Sequence, residues 1–397
     1  MTQIKIPDLG DFDEVEVVEV HVKSGQSIKE NDPIITLETE KAAMDVPSIV
    51  TGEVVSIDVK SGDKVSEGDV IAEISVDTVI EHETEDQQDE KSSNSEAEYD
   101  LAVIGAGPGG YAAAFRASDL GLKVALIDRN PVLGGVCLNV GCIPSKAFLH
   151  AAKVIEDSNE ASKAGIHFKD LKIDLEKMKD WKDGIIGGLT SGLKNLAKQR
   201  QVDCYQGDAS FISNHQLQIS SVDNKQQITF KYAIIAVGSE PASLDFMPND
   251  SRVIDSTGAL DPESIPKKIL IIGGGIIGLE MATIYSALGS GVTVVEVMEE
   301  LMTGTDKDLV KPLERYLSER CEDIYKSTKV ISAQALDEGI SVTFENDGAE
   351  QTETFDKVLV AIGRTANGKL IHVDRAGVEV SNEGTINVDR QMRTNVE

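Results

Sequence analysis

Hydrophobic and polar positions follow one pattern over the first 79 residues and another after Tyr99. In the first part, short stretches of alternating apolar and polar residues are broken by Ser-Gly, Asn-Asp and Gly-Asp turns, which is typical of β-strands joined by tight turns. Residues 22–38 (VKSGQSIKENDPIITLE) are repeated by residues 59–75 (VKSGDKVSEGDVIAEIS) at a constant offset of 37. Two such halves predict a small β-sandwich with quasi-twofold symmetry.

From Tyr99 onward, strand-length apolar runs alternate with helix-length segments. The first unit reads strand (YDLAVIG), helix (PGGYAAAFRASDLG) and strand (KVALID). The second reads strand (KKILIIG), helix (IIGLEMATIYSALGS) and strand (VTVVEV). Each helix follows a glycine loop, so we expect two α/β Rossmann-like dinucleotide-binding domains after the β-sandwich. The predicted fold class is therefore multidomain.

Changes in composition predict where the domains begin and end. Residues 81–98 carry eight acidic residues and one Lys, with no large apolar residue, which is typical of a flexible linker. We therefore predict a β-sandwich domain at 1–79 and an acidic linker at 80–98. The first α/β domain is predicted at 99–244 and the second at 245–366, and 367–397 begins a return to the first.

Charge and cysteine content exclude several classes of function. The chain has 68 acidic and 38 basic residues, a net charge of −30, and no cluster of Lys and Arg that would predict nucleic-acid binding. The most apolar stretch, residues 269–288, is interrupted by glycines and by Glu280, so a buried βα turn explains it better than a membrane span. Four cysteines do not make a disulfide scaffold, and we expect a cytoplasmic protein with one catalytic cysteine pair.

The first glycine loop is Gly105-Ala106-Gly107-Pro108-Gly109-Gly110, and Asp128 follows 23 positions after Gly105. Glycines allow a pyrophosphate to approach a helix N-terminus, and the carboxylate can accept hydrogen bonds from ribose hydroxyls. An ordinary tight turn is the alternative. The complete strand–loop–helix–strand–acid order favours a dinucleotide site.

The second loop contains Gly273, Gly275 and Gly278, and Glu296 again falls 23 positions after the first glycine. One of the two loops could be a structural relic, but two complete fingerprints predict two dinucleotides. An acid at position 296 with no basic residue in the next several positions favours NAD over NADP.

Between the two loops lies GGVCLNVGCIPSK, residues 134–146, which contains Cys137 and Cys142. A metal site is disfavoured because no second Cys or His cluster completes a tetrahedral ligand set. An inert buried pair is a further alternative. A closely spaced pair near a helix start suits redox cycling, because a helix N-terminus lowers the pKa of a thiol. The other thiols, Cys204 and Cys321, have no partner motif and are expected to be structural.

The segment GGxCLNxGCxPSK after an FAD-type glycine loop resembles the flavoprotein disulfide reductases. GGGIIGLE and VLVAIGR narrow the resemblance to the dihydrolipoyl dehydrogenase family, and it extends from Tyr99 to Glu397. The resemblance implies that Cys137 exchanges with the substrate disulfide or dithiol, while Cys142 lies beside the flavin. It also implies that Lys146 and Glu280 form an ion pair near the flavin that poises the thiolate.

The same resemblance implies two sets of cofactor contacts. The predicted FAD set is Gly105, Gly107, Gly109, Gly110, Asp128, Gly134, Gly135, Lys146, Ala209, Val237, Gly238 and Ser239. The predicted NAD set is Gly273, Gly275, Gly278, Glu280, Glu296, Val330 and Gly363.

The first 79 residues resemble a lipoyl domain. Its carrier lysine lies in an E-T-D-K-A-type turn, which here reads Glu38-Thr39-Glu40-Lys41-Ala42, midway between the two repeat halves. This implies a lipoyl group on Lys41. The alternatives are a solvated surface lysine and a biotin carrier, although a biotinyl lysine is flanked by methionines and only Met44 is near.

The resemblance implies that dihydrolipoamide is reoxidised through the cysteine pair and FAD to NAD⁺. Expected partners are the lipoyl-bearing acyltransferases of 2-oxo acid dehydrogenase complexes, and the full-length form is expected to be a homodimer.

In the family, the second dinucleotide-binding domain is followed by a strand with a flavin-binding Asp and by a dimerisation domain with a catalytic His–Glu pair. The sequence stops before them, so we expect a C-terminal truncation and little turnover by this chain alone. An inactive lipoyl carrier with a flavoprotein remnant, and a mercuric reductase, are the alternative functions.

Overall fold

The computed structural model describes residues 2–6, 15–28, 32–38, 43–48, 50–66, 68–75, 97–168, 171–222 and 224–397. The chain divides into two compact units, Met1–Ser93 and Asn94–Glu397. The N-terminal unit has a hydrophobic core of its own, built from alternate strand positions such as Val17, Ile35 and Ile71. The predicted linker at 80–98 lies outside the described residues except for its last two positions.

The N-terminal unit is a sandwich of two four-stranded sheets, in the orders β1-β8-β6-β3 and β5-β4-β2-β7. Its strands are β1 (Thr2–Lys5), β2 (Val15–Val20), β3 (Ser27–Ile28), β4 (Pro33–Glu38), β5 (Ala43–Pro47), β6 (Gly52–Ile57), β7 (Lys64–Val65) and β8 (Val70–Ser75).

The quasi-twofold symmetry expected from the sequence repeat is present. Strands β2, β3 and β4 begin at 15, 27 and 33, and β6, β7 and β8 begin 37 residues later at 52, 64 and 70. The side chains follow the same symmetry, because Ser24 donates to the Val55 carbonyl (2.6 Å) and Ser61 to the Val18 carbonyl (2.8 Å). Each half therefore closes over the other through equivalent contacts.

The first module, predicted at residues 99–244, contains a sheet in the order β11-β10-β9-β14-β13-β12. Strands β11, β10, β9 and the second half of β14 are parallel, whereas β14, β13 and β12 form an antiparallel meander. Its elements are β9 (Tyr99–Ile104), α1 (Pro108–Asp119), β10 (Val124–Asp128), α2 (Gly135–Val140), α3 (Cys142–Ala161), α4 (Leu175–Gln199), β11 (Asp203–Gln206), β12 (Asp208–Ser213), β13 (Gln216–Ser220), β14 (Lys225–Ile235) and β15 (Ser239–Pro241).

The second module, predicted at 245–366, repeats this plan. Its parallel sheet has the order β16-β23-β17-β18-β19, and an antiparallel meander β20-β21-β22 leads into β23. Its elements are β16 (Val253–Ile254), α5 (Ser256–Ala259), β17 (Lys268–Ile272), α6 (Ile276–Ala287), β18 (Gly291–Val295), α7 (Lys307–Ser318), β19 (Asp323–Tyr325), β20 (Thr328–Leu336), β21 (Gly339–Asn346), β22 (Ala349–Phe355), β23 (Lys357–Val360) and β24 (Arg364–Ala366).

The two modules share one apolar core where α3 meets α6. Phe148 of α3 lies in the same buried cluster as Met281 and Tyr285 of α6. After β24, the chain packs on the meander of the first module, since Ile371 and Val373 are buried in the core of that module. Within the described parts of the chain, no helix is both long and apolar enough to cross a bilayer.

Candidate active site

The two glycine loops have the same backbone geometry at their first residue. Gly105 has φ +101°, and a Cβ there would lie 2.2 Å from the Ala236 carbonyl oxygen. Gly273 has φ +116°, and a Cβ there would lie 2.3 Å from the Ala361 carbonyl oxygen. Only glycine combines this left-handed conformation with so close an approach to the neighbouring strand end.

The last glycine of each loop lets the following helix approach its own strand. A Cβ on Gly110 would lie 1.7 Å from the Gly105 carbonyl oxygen, and one on Gly278 would lie 2.0 Å from the Gly273 carbonyl oxygen. Gly109, in contrast, has open space at its Cβ position. Both loops therefore hold a helix N-terminus at the carboxyl end of a parallel strand, where dinucleotides bind in such sheets.

Helices α1 and α6 begin without a side-chain cap in the described structure, and their N-cap residues are Gly107 and Gly275. Helices α4 and α5 differ, because Asp174 and Asp255 accept hydrogen bonds from their first-turn N–H groups. Uncapped first-turn N–H groups are ready donors for a phosphate. The two glycine loops therefore fit a bound pyrophosphate.

The acidic residue after each second strand is held against its own glycine loop. Asp128 accepts the N–H groups of Ala106 (2.7 Å) and Asn130 (2.8 Å). Glu296 accepts those of Gly274 (2.6 Å) and Met298 (2.8 Å) in the same arrangement. A carboxylate has about four lone-pair positions, so each keeps acceptor capacity for ribose hydroxyls.

The cysteine pair lies on two consecutive helices that bend at Gly141. Cys137 belongs to α2, and Cys142 is the first residue of α3, whose N-cap Gly141 provides no side-chain cap. Both are free thiols in this structure. Burial and the neighbouring Cys142 raise the pKa of Cys137, whereas the Cys142 backbone N–H and the Lys146 charge lower it.

Lys146 lies one turn beyond Cys142 on α3, and its ammonium is 2.5 Å from the Glu280 carboxylate on α6. The carboxylate is mostly buried, whereas the lysine side chain is largely exposed. This ion pair connects the two modules beside the cysteines, and it joins the two residues that the resemblance paired.

A single cavity of about 710 Å³ brings most of the predicted site together. This volume lies within the usual range for cofactor sites. The predicted residues that line it are Gly105, Gly107, Gly109, Asp128, Gly135, Cys137, Cys142, Lys146, Ala209, Val237, Gly238, Ser239 and Glu280. Gly110 and Gly134 lie behind this lining, and the Gly134 N–H donates to the Ala106 carbonyl (2.9 Å).

Sequence reasoning missed eight polar residues of the cavity wall, among them two ion-paired side chains and two residues near Gly363. Arg129 follows Asp128 and is 2.9 Å from Glu240, and both side chains line the cavity. Arg364 lines it from β24, and Asn367 lines it from the residue directly after β24. Arg129 follows Asp128 and Arg364 follows Gly363 in the sequence, so their position next to predicted site residues could have suggested them. Position alone does not show which way a side chain points.

The predicted NAD residues gather only in part. Gly273, Gly275, Gly278 and Glu296 surround the start of α6, while Glu280 faces the cavity of the first module. Val330 is buried in the same core as Val295, so its side chain is not available to a ligand. Gly363 follows β23 with φ +129°.

Two predictions concern residues away from this cavity. Lys41 lies outside the described residues, between β4 and β5, where Glu38 pairs with Ala43. Cys321 packs against the shared core of the two modules, and burial raises its pKa to about 11, which is expected of an unreactive thiol.

Residues 99–397 match the family model described as pyridine nucleotide-disulphide oxidoreductase, and the chain belongs to this family. Residues 2–74 match the model described as biotin-requiring enzyme, so the N-terminal sandwich is a domain of the biotinyl/lipoyl type. The predicted fold class is confirmed. FAD and a pyridine nucleotide are the cofactors that the family indicates, and the N-terminal domain supports a lipoyl group on a lysine.

Among similar proteins is the dihydrolipoyl dehydrogenase of Haemophilus influenzae, 48% identical over 305 residues, which cover 76% of this chain and 64% of the relative. The dihydrolipoyl dehydrogenase of Vibrio cholerae is 47% identical with the same coverage. The solved structure of the HOCl-induced flavoprotein disulfide reductase RclA from Escherichia coli is 26% identical, with a TM-score of 0.65 over 75% of this chain and 64% of that one. The chain thus spans about two-thirds of the length of these proteins.

Proposed function

We propose that this chain carries the electron-transfer core of a dihydrolipoyl dehydrogenase, in which dihydrolipoyl groups are reoxidised at the expense of NAD⁺. The single observation that carries the proposal is the cavity in which the first glycine loop, both cysteines and the Lys146–Glu280 pair meet. Relatives that are 47–48% identical bear this name and support the choice of substrate.

The cysteine pair would take two electrons and two protons from the substrate. One thiol of the dihydrolipoyl group attacks the Cys137 side of a Cys137–Cys142 disulfide and forms a mixed disulfide, releasing Cys142 as a thiolate. The second substrate thiol then displaces Cys137, which leaves a lipoyl disulfide and two reduced cysteines. When bound, the flavin relays this electron pair from the cysteines to NAD⁺ as a hydride.

The protein supplies positioning and charge for these steps. Cys142 lies at the uncapped N-terminus of α3, which favours an anionic sulfur. The Lys146 charge lowers the pKa of Cys137 and opposes the effect of burial. Glu280 holds that ammonium beside the cysteines from the second module.

We further propose that Lys41 carries the lipoyl group and that NAD is the pyridine nucleotide. The composition of residues 81–98 predicts a flexible linker, which would span roughly 20–25 Å and more with charge repulsion, so a lipoyl arm would be presented at high effective concentration. Lipoyl-bearing acyltransferases of 2-oxo acid dehydrogenase complexes are the proposed partners. Homodimerisation of the full-length protein and a cytoplasmic location complete the proposal.

An anaerobic titration tests the redox proposal. The chain is loaded with FAD and titrated with dihydrolipoamide, while flavin absorbance and free thiols are followed. We expect flavin reduction, with NADH appearing after NAD⁺ is added. Cys137→Ser and Cys142→Ser should each abolish the reduction, whereas Cys321→Ser should not. Reduction that is unaffected by loss of either cysteine would refute the proposed pair.

The same titration distinguishes the proposed dehydrogenase from the alternative function. Flavin reduction without NADH formation would support the narrower role of a lipoyl carrier joined to a flavin-binding module. Intact mass after expression with a lipoate ligase tests Lys41, with Lys41→Arg compared against Lys60→Arg. We expect the lipoyl mass to be lost only in Lys41→Arg, and its retention would place the attachment elsewhere.

A further inference from the structure

The chain passes from the first module to the second and returns to the first through two adjacent strands. Strand β15 (Ser239–Pro241) leaves the first module, and β24 (Arg364–Ala366) enters it again. The two strands pair antiparallel, with Ser239 opposite Ala366 and Pro241 opposite Arg364. The Ala242 N–H also donates to the Gly363 carbonyl (3.0 Å).

Arg364 connects the returning strand to the departing one by two hydrogen bonds. Its Nε donates to the Ser239 hydroxyl (2.8 Å), and its Nη2 donates to the Ser239 carbonyl (2.5 Å). Two donors of one rigid guanidinium therefore define both the side-chain rotamer and the carbonyl direction of Ser239.

Asn367 completes the same contact from a buried position, with 7% of its surface exposed. Its side-chain amide donates to the Val237 carbonyl, and its backbone N–H donates to the Gly238 carbonyl, both at 3.0 Å. Gly238 has φ +65°, a left-handed conformation that glycine adopts readily, so the backbone there has other accessible conformations that these hydrogen bonds disfavour. Residues 237–239 are the cavity wall predicted to contact the flavin, and Arg364 and Asn367 line the same cavity.

We infer that Arg364 and Asn367 are positioning residues of the flavin site, which hold the wall formed by residues 237–239 in its binding conformation. The inference rests on the proposed flavin site. The wall formed by residues 237–239 is therefore supported by residues that follow β23, after the whole second module in the sequence. Flavin affinity then depends on the contact that this later segment makes with the wall.

The test compares Arg364→Ala with Arg252→Ala. Arg252 is a matched control, because it also makes a two-donor contact, to Asp250 (2.8 and 2.9 Å), but does not line the cavity. We expect Arg364→Ala to raise the FAD dissociation constant about ten- to a hundredfold, as for loss of a charged hydrogen-bond donor. Ser239→Ala should raise it roughly two- to tenfold, since the carbonyl acceptor remains. Arg364→Lys, with one donor group, should fall between them.

Two further measurements separate positioning from a general loss of structure. Amide hydrogen exchange of FAD-free protein should accelerate at residues 237–240 in Arg364→Ala, whereas NADH binding should stay unchanged. FAD affinity within twofold of Arg252→Ala, or equal losses of FAD and NADH binding, would overturn the inference. Failure of the wild-type chain to bind FAD would instead overturn the proposed function, and the exchange data would still show whether the crossing contact orders the wall.

Discussion

Strands β14 and β23 occupy equivalent places in the two modules, yet their environments differ. Strand β23 lies between β16 and β17, and Val358 and Leu359 have no exposed surface. The second half of β14 pairs with β9 on one side, and no described strand pairs with residues 232–235 on the other. Tyr232 is consequently 67% exposed and Ile234 38%. Whether an apolar strand is buried therefore depends on the segments that pack beside it and not on its own composition.

The glycine loops show the converse case. Their local geometry is nearly identical, but the first places three glycines in the cavity wall, whereas the second contributes only Ile276 and Ile277 to it. Gly135 makes the difference, since a Cβ there would lie 2.5 Å from the Gly107 Cα, so the segment that carries the cysteines packs directly on the first loop. The same loop fingerprint is thus joined to a cysteine pair in one module by a segment that the other lacks at this place.

A charged substitution on each central strand should give the largest contrast. Val358→Lys places an ammonium in the core and should cost more than about 4 kcal/mol of unfolding free energy. Tyr232→Lys should cost less than about 1 kcal/mol, because that side chain is already exposed. Urea midpoints of the two variants measure the difference. Equal losses would show that the β14 edge is covered in solution.

Replacing the last glycine of either loop by alanine should weaken the binding of one cofactor and leave the binding of the other unchanged. Gly110→Ala should lower FAD binding and Gly278→Ala should lower NADH binding, each at a cost of about 1–3 kcal/mol from the clash with a backbone carbonyl. Gly188→Ala in α4 is the control, because its Cβ position is open and it does not line the cavity. Flavin content and NADH fluorescence report the two sites separately. Loss of both cofactors in either variant would contradict the independence of the loops.

Asp128 and Glu296, the acidic residues held against the two loops, should each affect the binding of a different nucleotide. Glu296 would repel a 2′-phosphate and accept ribose hydroxyls, which favours NAD over NADP by roughly 30- to 1000-fold. Glu296→Gln should remove most of this preference, whereas Glu299→Gln, three residues later, should keep it. Competitive titration with both nucleotides measures the ratio. Tighter binding of NADP by the wild type would refute the assignment.

The smallest expected effect concerns the pH at which Cys137 reacts. Burial holds the pKa of Cys137 above its usual value and Lys146 opposes this, so Lys146→Met should move alkylation of reduced Cys137 to still higher pH. Lys153→Met is the matched control, two turns further along α3 and paired with Asp157. Alkylation rates between pH 7 and 10, read by peptide mass, give the profile. An unchanged profile in Lys146→Met would show that its charge does not reach the sulfur.

Local features of the sequence were sufficient for the elements and for much of the site. Both βαβ units, the β-sandwich repeat and the glycine N-caps of α1 and α6 follow from glycine positions, a 37-residue offset and apolar periodicity, which all act over short distances. Asp128 and Glu296 were found for the same reason, because each returns to its own loop across a single βαβ unit.

Contacts between distant segments could not be deduced in this way. Lys146 and Glu280 are 134 positions apart, and their pairing was expected only from a family resemblance. Arg129, Arg364 and Asn367 were missed, because nothing in their local pattern shows that their side chains turn toward one cavity. The sequence by itself determined the sandwich repeat, the two βαβ units and the loops at which phosphates are expected to approach. Only the tertiary structure decided that the first loop packs against the cysteine segment and that residues 232–235 of β14 have a described strand on one side only, because both depend on which segments pack together.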